Sequence, residues 1–107
     1  MRQIRKRDAA RDDLVEHFVY LADHSSLATA DRFLANAEES FEKLLKRPDL
    51  GAPVRTVQLE LAGIRKWPVK DFENWLIFYL PTDNGISVVR VLHTAQDWWG
   101  ILAQDPR

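Results

Sequence analysis

Few side chains in this sequence could carry chemistry. There is no cysteine, which excludes a disulfide scaffold, a thiolate zinc site and a cysteine nucleophile. The histidines are His17, His24 and His93. His17 and His24 stand seven apart with no third ligand at metal spacing, so both read as surface or helix-end residues. No metal or other cofactor is expected. His93 ends the apolar stretch Val91-Leu92-His93-Thr94. As a general base it would need a substrate-facing position and a matched pKa; as a structural residue it would order the turn after a strand through a backbone hydrogen bond. Arg65, Lys66 and Arg90 fall within or beside apolar strands, where an uncompensated charge is costly. They either meet an acidic partner or a phosphate, or they close internal ion pairs, for instance Arg90 with Glu60 or Asp97. The glycines are scattered and form no phosphate loop. No serine sits in a nucleophile elbow.

Aromatic residues are a second resource. Four tryptophans is a high count for this length. Trp67, Trp98 and Trp99 offer large apolar area, either to anchor a partner or to finish the core. The formal net charge is −1, without the basic excess that stand-alone nucleic-acid binding favours. Basic residues cluster only locally, at Arg2, Arg5, Lys6 and Arg7 and at Lys46 and Arg47. The longest apolar run, Trp75 to Pro81, is too short for a membrane span. No apolar stretch follows the basic start, so no secretory signal is visible. The expectation is a soluble, cytoplasmic protein of one domain over residues 1–107.

The elements that would position these groups follow from period and punctuation. Gln3 to Arg7 reads as a short edge strand. Asp8 reads as an N-cap, with Asp12 and Asp13 in or near the first turn, where the helix dipole favours acids. Leu14, Val15, Phe18, Leu21 and Ala22 recur at helical spacing, predicting a helix over Ala9 to Asp23. Ser25 and Ser26 break the pattern and offer the next cap. A second helix is expected from Leu27 to Lys46, with the stripe Ala30, Phe33, Leu34, Ala37, Phe41, Leu44 and Leu45. Pro48 and Gly51 forbid its continuation. So short a connection implies an antiparallel helical hairpin.

Beyond Gly51 the pattern is that of strands. Val54 to Leu61 holds a loop and a short strand. Ile64 to Val69 is a strand with an edge or bulge at Pro68, which cannot donate to a ladder. Trp75 to Leu80 is rich in β-formers. Pro81 to Gly85 is a turn containing Asn-Gly, and Ile86 to His93 is the return strand. Asp97 to Leu102 closes the chain as a short helix. Helices followed by consecutive hairpins imply an α+β domain, the two-helix hairpin packed on a small twisted antiparallel sheet. Phe18, Phe33, Phe41, Leu44, Phe78 and Val91 should be core. The central strands are apolar on both faces, Trp75, Ile77 and Tyr79 on one and Leu76, Phe78 and Leu80 on the other. The hairpin covers only one face, so the C-terminal segment, a protein partner, or both must cover the other.

The same residues resemble the RelE/ParE toxin superfamily, ParE type, over nearly the whole chain. The matching segments are Ala10 to Tyr20, Ala30-Asp31-Arg32-Phe33-Leu34, Leu44 to Gly51, Ile64 to Val69 and, most specifically, Arg90-Val91-Leu92-His93-Thr94-Ala95-Gln96-Asp97. The resemblance implies a type II toxin held by a cognate antitoxin as a hetero-oligomer. ParE-type members are associated with poisoning DNA gyrase, RelE-type members with ribosome-dependent mRNA cleavage. The RelE cluster of basic residues with a Tyr, Glu or His is represented here by His93 alone, which favours the ParE type. Arg65, Trp67, Arg90, His93, Asp97, Trp98 and Trp99 are the expected partner-binding residues. A ribonuclease using His93, Arg65 and Arg90, and a non-toxic interaction module, stay open as alternatives.

Overall fold

The computed structural model describes residues 2–104. Strand β1 (Gln3–Lys6) leads into helix α1 (Asp8–His24) and helix α2 (Leu27–Lys46). Four strands follow, β2 (Ala52–Pro53), β3 (Arg65–Val69), β4 (Phe72–Thr82) and β5 (Gly85–His93), and then helix α3 (Trp98–Gln104). A single 3-10 turn at Leu59–Leu61 lies between β2 and β3. The sheet order is β1-β5-β4-β3-β2. Its inner pairs are antiparallel, as expected, but β1 runs parallel to β5, so the sheet is mixed. The parallel pairing follows from the connection: α1 and α2 lie between β1 and the other strands, as a crossover requires.

Local chemistry accounts for most boundaries. Ser26 caps α2, its hydroxyl accepting from the Thr29 amide at 3.0 Å. At α1 the cap is Arg7, in extended conformation and without a side-chain bond, and Asp8 is the first helical residue rather than the cap. The reason is that the Arg7 amide still bonds to the Val88 carbonyl, continuing the β1 ladder up to the helix. The strand expected within Val54 to Leu61 sits just before it, at Ala52–Pro53. β3 has its irregularity between Pro68 and Val69, where the proline was expected to place one. The hairpin is tighter than expected: β4 continues through Pro81 to Thr82, which pairs with Gly85, leaving Asp83 and Asn84 as the loop. Gly85 has φ +154, and a Cβ there would lie 1.9 Å from the Gln3 carbonyl oxygen. Only glycine lets β1 lie this close.

Two cores form, one on each sheet face. The helical hairpin buries Phe33, Phe41 and Leu44 against Ile77, Tyr79, Val88 and Val91. Phe18 packs against this core but is only partly buried. On the opposite face Leu61, Ile64 and Leu102 close over Phe78, Val89 and Leu92, joined by Trp98 and Ile101. The second face is therefore covered by the chain itself, through α3 and the segment before β3. Tyr79 ties the end of α2 to the sheet: its hydroxyl donates to the Pro48 carbonyl at 2.7 Å and accepts from the Gly51 amide at 2.8 Å. Burial raises its pKa, opposed by the Gly51 bond.

Candidate partner-binding surface

Strand β1 covers β5 only from Gly85 to Val88. Past Val88 the edge of β5 is completed by side chains of α1. Asp13 and His17, four apart, share one helix face. The Asp13 carboxylate accepts the Val91 amide at 2.9 Å, and His17 Nε2–H donates to the Val91 carbonyl at 2.6 Å. Asp13 also takes Arg90, Nε to Oδ2 and Nη2 to Oδ1, each at 2.7 Å. The β4–β5 register shifts beside Arg90, opposite Phe78/Tyr79, and such a bulge re-aims a side chain.

Two expectations are corrected here. Arg90 does close an ion pair, but with Asp13, not with Glu60 or Asp97. Asp13, near the first turn of α1 as expected, is buried there, 2% exposed. His17 is a buried residue rather than a surface one, since its ring substitutes for a missing strand. Its pKa is lowered by burial, against the Val91 carbonyl, Asp13 and Glu16, which raise it, and with His93, which lowers it further. His24 is at the helix end as expected, stacked on Tyr20.

His93 performs the structural task. Its Nδ1 accepts the Ala95 amide at 2.9 Å, ordering the turn after β5, and its ring stands edge-on to Trp75 at 4.5 Å. The Trp75 indole N–H is buried and meets no hydrogen-bond partner among the described residues. These rings floor a cleft of about 690 Å³ lined by Val15, Val19, Tyr20, Trp75, His93 and Gln96. Val15, Val19 and Tyr20 are each more than half exposed. Val15 was placed on the apolar stripe; Val19 and Tyr20 were not singled out. The spacing carries a signal: Val15 and Val19 stand four apart and so share a helix face of their own, beside the buried face of Ala10, Leu14 and Leu21.

The remaining candidates are dispersed. Arg65 donates to the carbonyls of Asp49 at 3.2 Å and Gly51 at 2.6 Å. Lys66 lies over the Trp98 ring at 5.1 Å, and Lys43 over Trp67 at 5.4 Å. Asp97 accepts the Gly100 amide at 3.2 Å at the start of α3. Trp98 is held between Phe78 and Trp99. Trp99 is 55% exposed, and Val57 and Leu59 are likewise exposed large apolar residues in this half of the chain. Trp99 and Val57 line a groove of about 660 Å³ with Val54, Leu61, Ile64 and Leu102. Arg65 pairs with Tyr79 and His93 with Trp75. The two are thus separated by roughly 13 Å along the strands and about 10 Å across them.

Among solved structures, the chain is similar to the chromosomal ParDE toxin-antitoxin system from P. aeruginosa, with 14% identity and a TM-score of 0.70 over 87% of this chain and 96% of that one. It is also similar to the YoeB-YefM complex from Staphylococcus aureus, with 13% identity and a TM-score of 0.54 over 87% and 97%. A third likeness is to the DinJ-YafQ complex of E. coli, with 20% identity and a TM-score of 0.53 over 89% and 96%. At such identities these likenesses bear on the fold alone. No curated protein matches the sequence significantly. The family model described as the ParE toxin of the type II toxin-antitoxin system, parDE, matches residues 4–98. With the helical hairpin, strands β2 to β5 and the Arg90-to-Asp97 stretch all inside that match, the chain belongs to the ParE toxin family.

Proposed function

We propose that this toxin acts on DNA gyrase by binding, without chemistry of its own, and that a cognate antitoxin neutralises it. The observation that carries this reading is the dispersal of the ribonuclease constellation. RNA cleavage needs a base, an acid and cations converging on one phosphate. Here Arg90 is engaged by Asp13, Arg65 by loop carbonyls and His93 Nδ1 by the Ala95 amide. A binding poison needs only an exposed patch, which Trp99 and Val57 supply. To the antitoxin we assign the α1 cleft, where Val15, Val19 and Tyr20 await cover; burial of apolar area drives such docking at about 25 cal/mol per Å² before association costs are met.

The test pairs two assays. Purified toxin inhibits supercoiling by gyrase or traps its cleaved-DNA complex, while mRNA in a translating extract stays intact. Trp99→Ser weakens the gyrase effect; Val19→Asp leaves it in place and weakens capture by the antitoxin encoded beside the toxin. Codon-dependent mRNA cuts that vanish in His93→Gln would reverse the assignment.

A further inference from the structure

We infer that the outer edge of β1 receives an extended acidic segment of a partner protein, which joins the sheet as a sixth strand. The two ends of the sheet are unlike. β2 is two residues long and contains Pro53, which has no N–H to offer. β1 is four residues long and contains no proline. Its Gln3 and Arg7 amides bond inward, to the Asn84 and Val88 carbonyls. Backbone groups alternate in direction along a strand, so the N–H and C=O of Ile4 and Lys6 point outward. β1 ends the strand order, so these groups have no sheet partner among the described residues. An added strand would meet four of them.

Charge selects the occupant. The Ile4 and Lys6 side chains turn toward α2: Ile4 packs on the first core, and Lys6 pairs with Glu38 at 2.7 Å and lies over Phe41. Arg5 and Arg7 therefore face the other way. Together with Lys6, Leu80, Thr82 and Ser87 they line a groove of about 380 Å³. Among the described residues neither guanidinium has an ion-pair partner. Two copies of β1 placed edge to edge would bring these cations together, and such like-charge edges oppose self-pairing. A segment bearing alternate carboxylates would place them along Arg5 and Arg7 while its backbone meets Ile4 and Lys6. Nucleic acid would use the arginines but not the strand edge, which is why a peptide is favoured.

The probe is a capped seven-residue peptide alternating valine with glutamate, added to the isotope-labelled chain and followed by amide shifts and amide exchange. Expected is saturable binding that slows exchange at Ile4 and Lys6, weakens with salt, and is absent for the lysine counterpart. Replacing both arginines (R5E with R7E) lowers affinity about tenfold, two exposed pairs at roughly 0.7 kcal/mol each, and transfers the preference to the lysine peptide. If that variant fails to fold, protection of Ile4 and Lys6 in the unaltered chain decides. Absence of saturable binding overturns the proposal. So does binding that leaves those two amides unprotected, or an oligothymidine that displaces the peptide from Arg5 and Arg7.

Discussion

A carboxylate that holds a guanidinium and a backbone amide at once is a demanding thing to remove. Asp13 does this with Arg90 and Val91, at side-chain exposures of 3% and 12% for the ion pair. Asp13→Asn removes the carboxylate that faces Arg90 in a largely buried site and should cost about 3–5 kcal/mol. Urea unfolding of the single variants, and of Asp13→Leu with Arg90→Met, checks this; the double variant should recover most of the loss. His17 is the pH-sensitive member of the group. Its folded pKa lies below the ordinary 6.5, so at acidic pH the unfolded chain binds the extra proton. Stability is intact above 6.5, falls as pH drops through 6.5, and levels off below the lowered folded value. Urea midpoints at pH 7.5 and pH 5 should therefore differ more for the unaltered chain than for His17→Gln, whose amide can still donate to Val91. Equal drops in the two proteins would remove His17 from the account.

At the scale of elements, α2 was legible to the residue because its stripe is clean and its Ser26 cap and Pro48 stop are local chemistry. α1 was legible as a helix but not in its faces, because Leu14-Val15 and Phe18-Val19 supply apolar residues to two sides. β1 was legible as an edge strand, while its parallel direction was not, since direction depends on where β5 lies. Gly85 belongs to this scale. A side chain there meets the Gln3 backbone and requires a backbone conformation that favours glycine. Gly85→Ala should destabilise by more than about 1 kcal/mol and should speed exchange at the Gln3 and Arg7 amides first. Loss of protection spread evenly over the sheet would show instead that β1 is not the element displaced.

For the whole molecule, the second sheet face is the decisive feature. Its coverage by α3 makes Trp98 and Trp99 different residues despite their adjacency. Trp98 packs on Phe78 in the second core, while Trp99 turns a largely exposed ring outward. Trp98→Ala should cost about 2–4 kcal/mol, somewhat under the usual value for a fully buried aromatic. Trp99→Ala should cost about 1 kcal/mol or less and yet carry the larger loss of gyrase inhibition in folded protein. Thermal unfolding and supercoiling assays on the same two variants separate packing from binding. Equal loss of stability would mean that Trp99 belongs to the core. Truncation before Asp97 could not make this distinction, because it would strip Trp98 and Leu102 from the second core together with Trp99.

The amino-acid order by itself determined the α+β class, the helical hairpin, the β4–β5 hairpin and the family, because period, capping and turn chemistry act over a few residues. It also required a second apolar layer, since Phe78 and Ile77 on adjacent positions must face opposite sides of one sheet. Tertiary structure alone decided who meets whom. Arg90 found Asp13 seventy-seven residues away rather than Glu60 or Asp97, because β1 ends at Lys6 and leaves α1 to complete the edge of β5. His17 was drawn inward by the same vacancy. His93, Arg65 and Arg90 were kept apart because register along β4 assigns each strand residue its neighbour. Periodicity says which face a residue points to; only register and packing say what waits there.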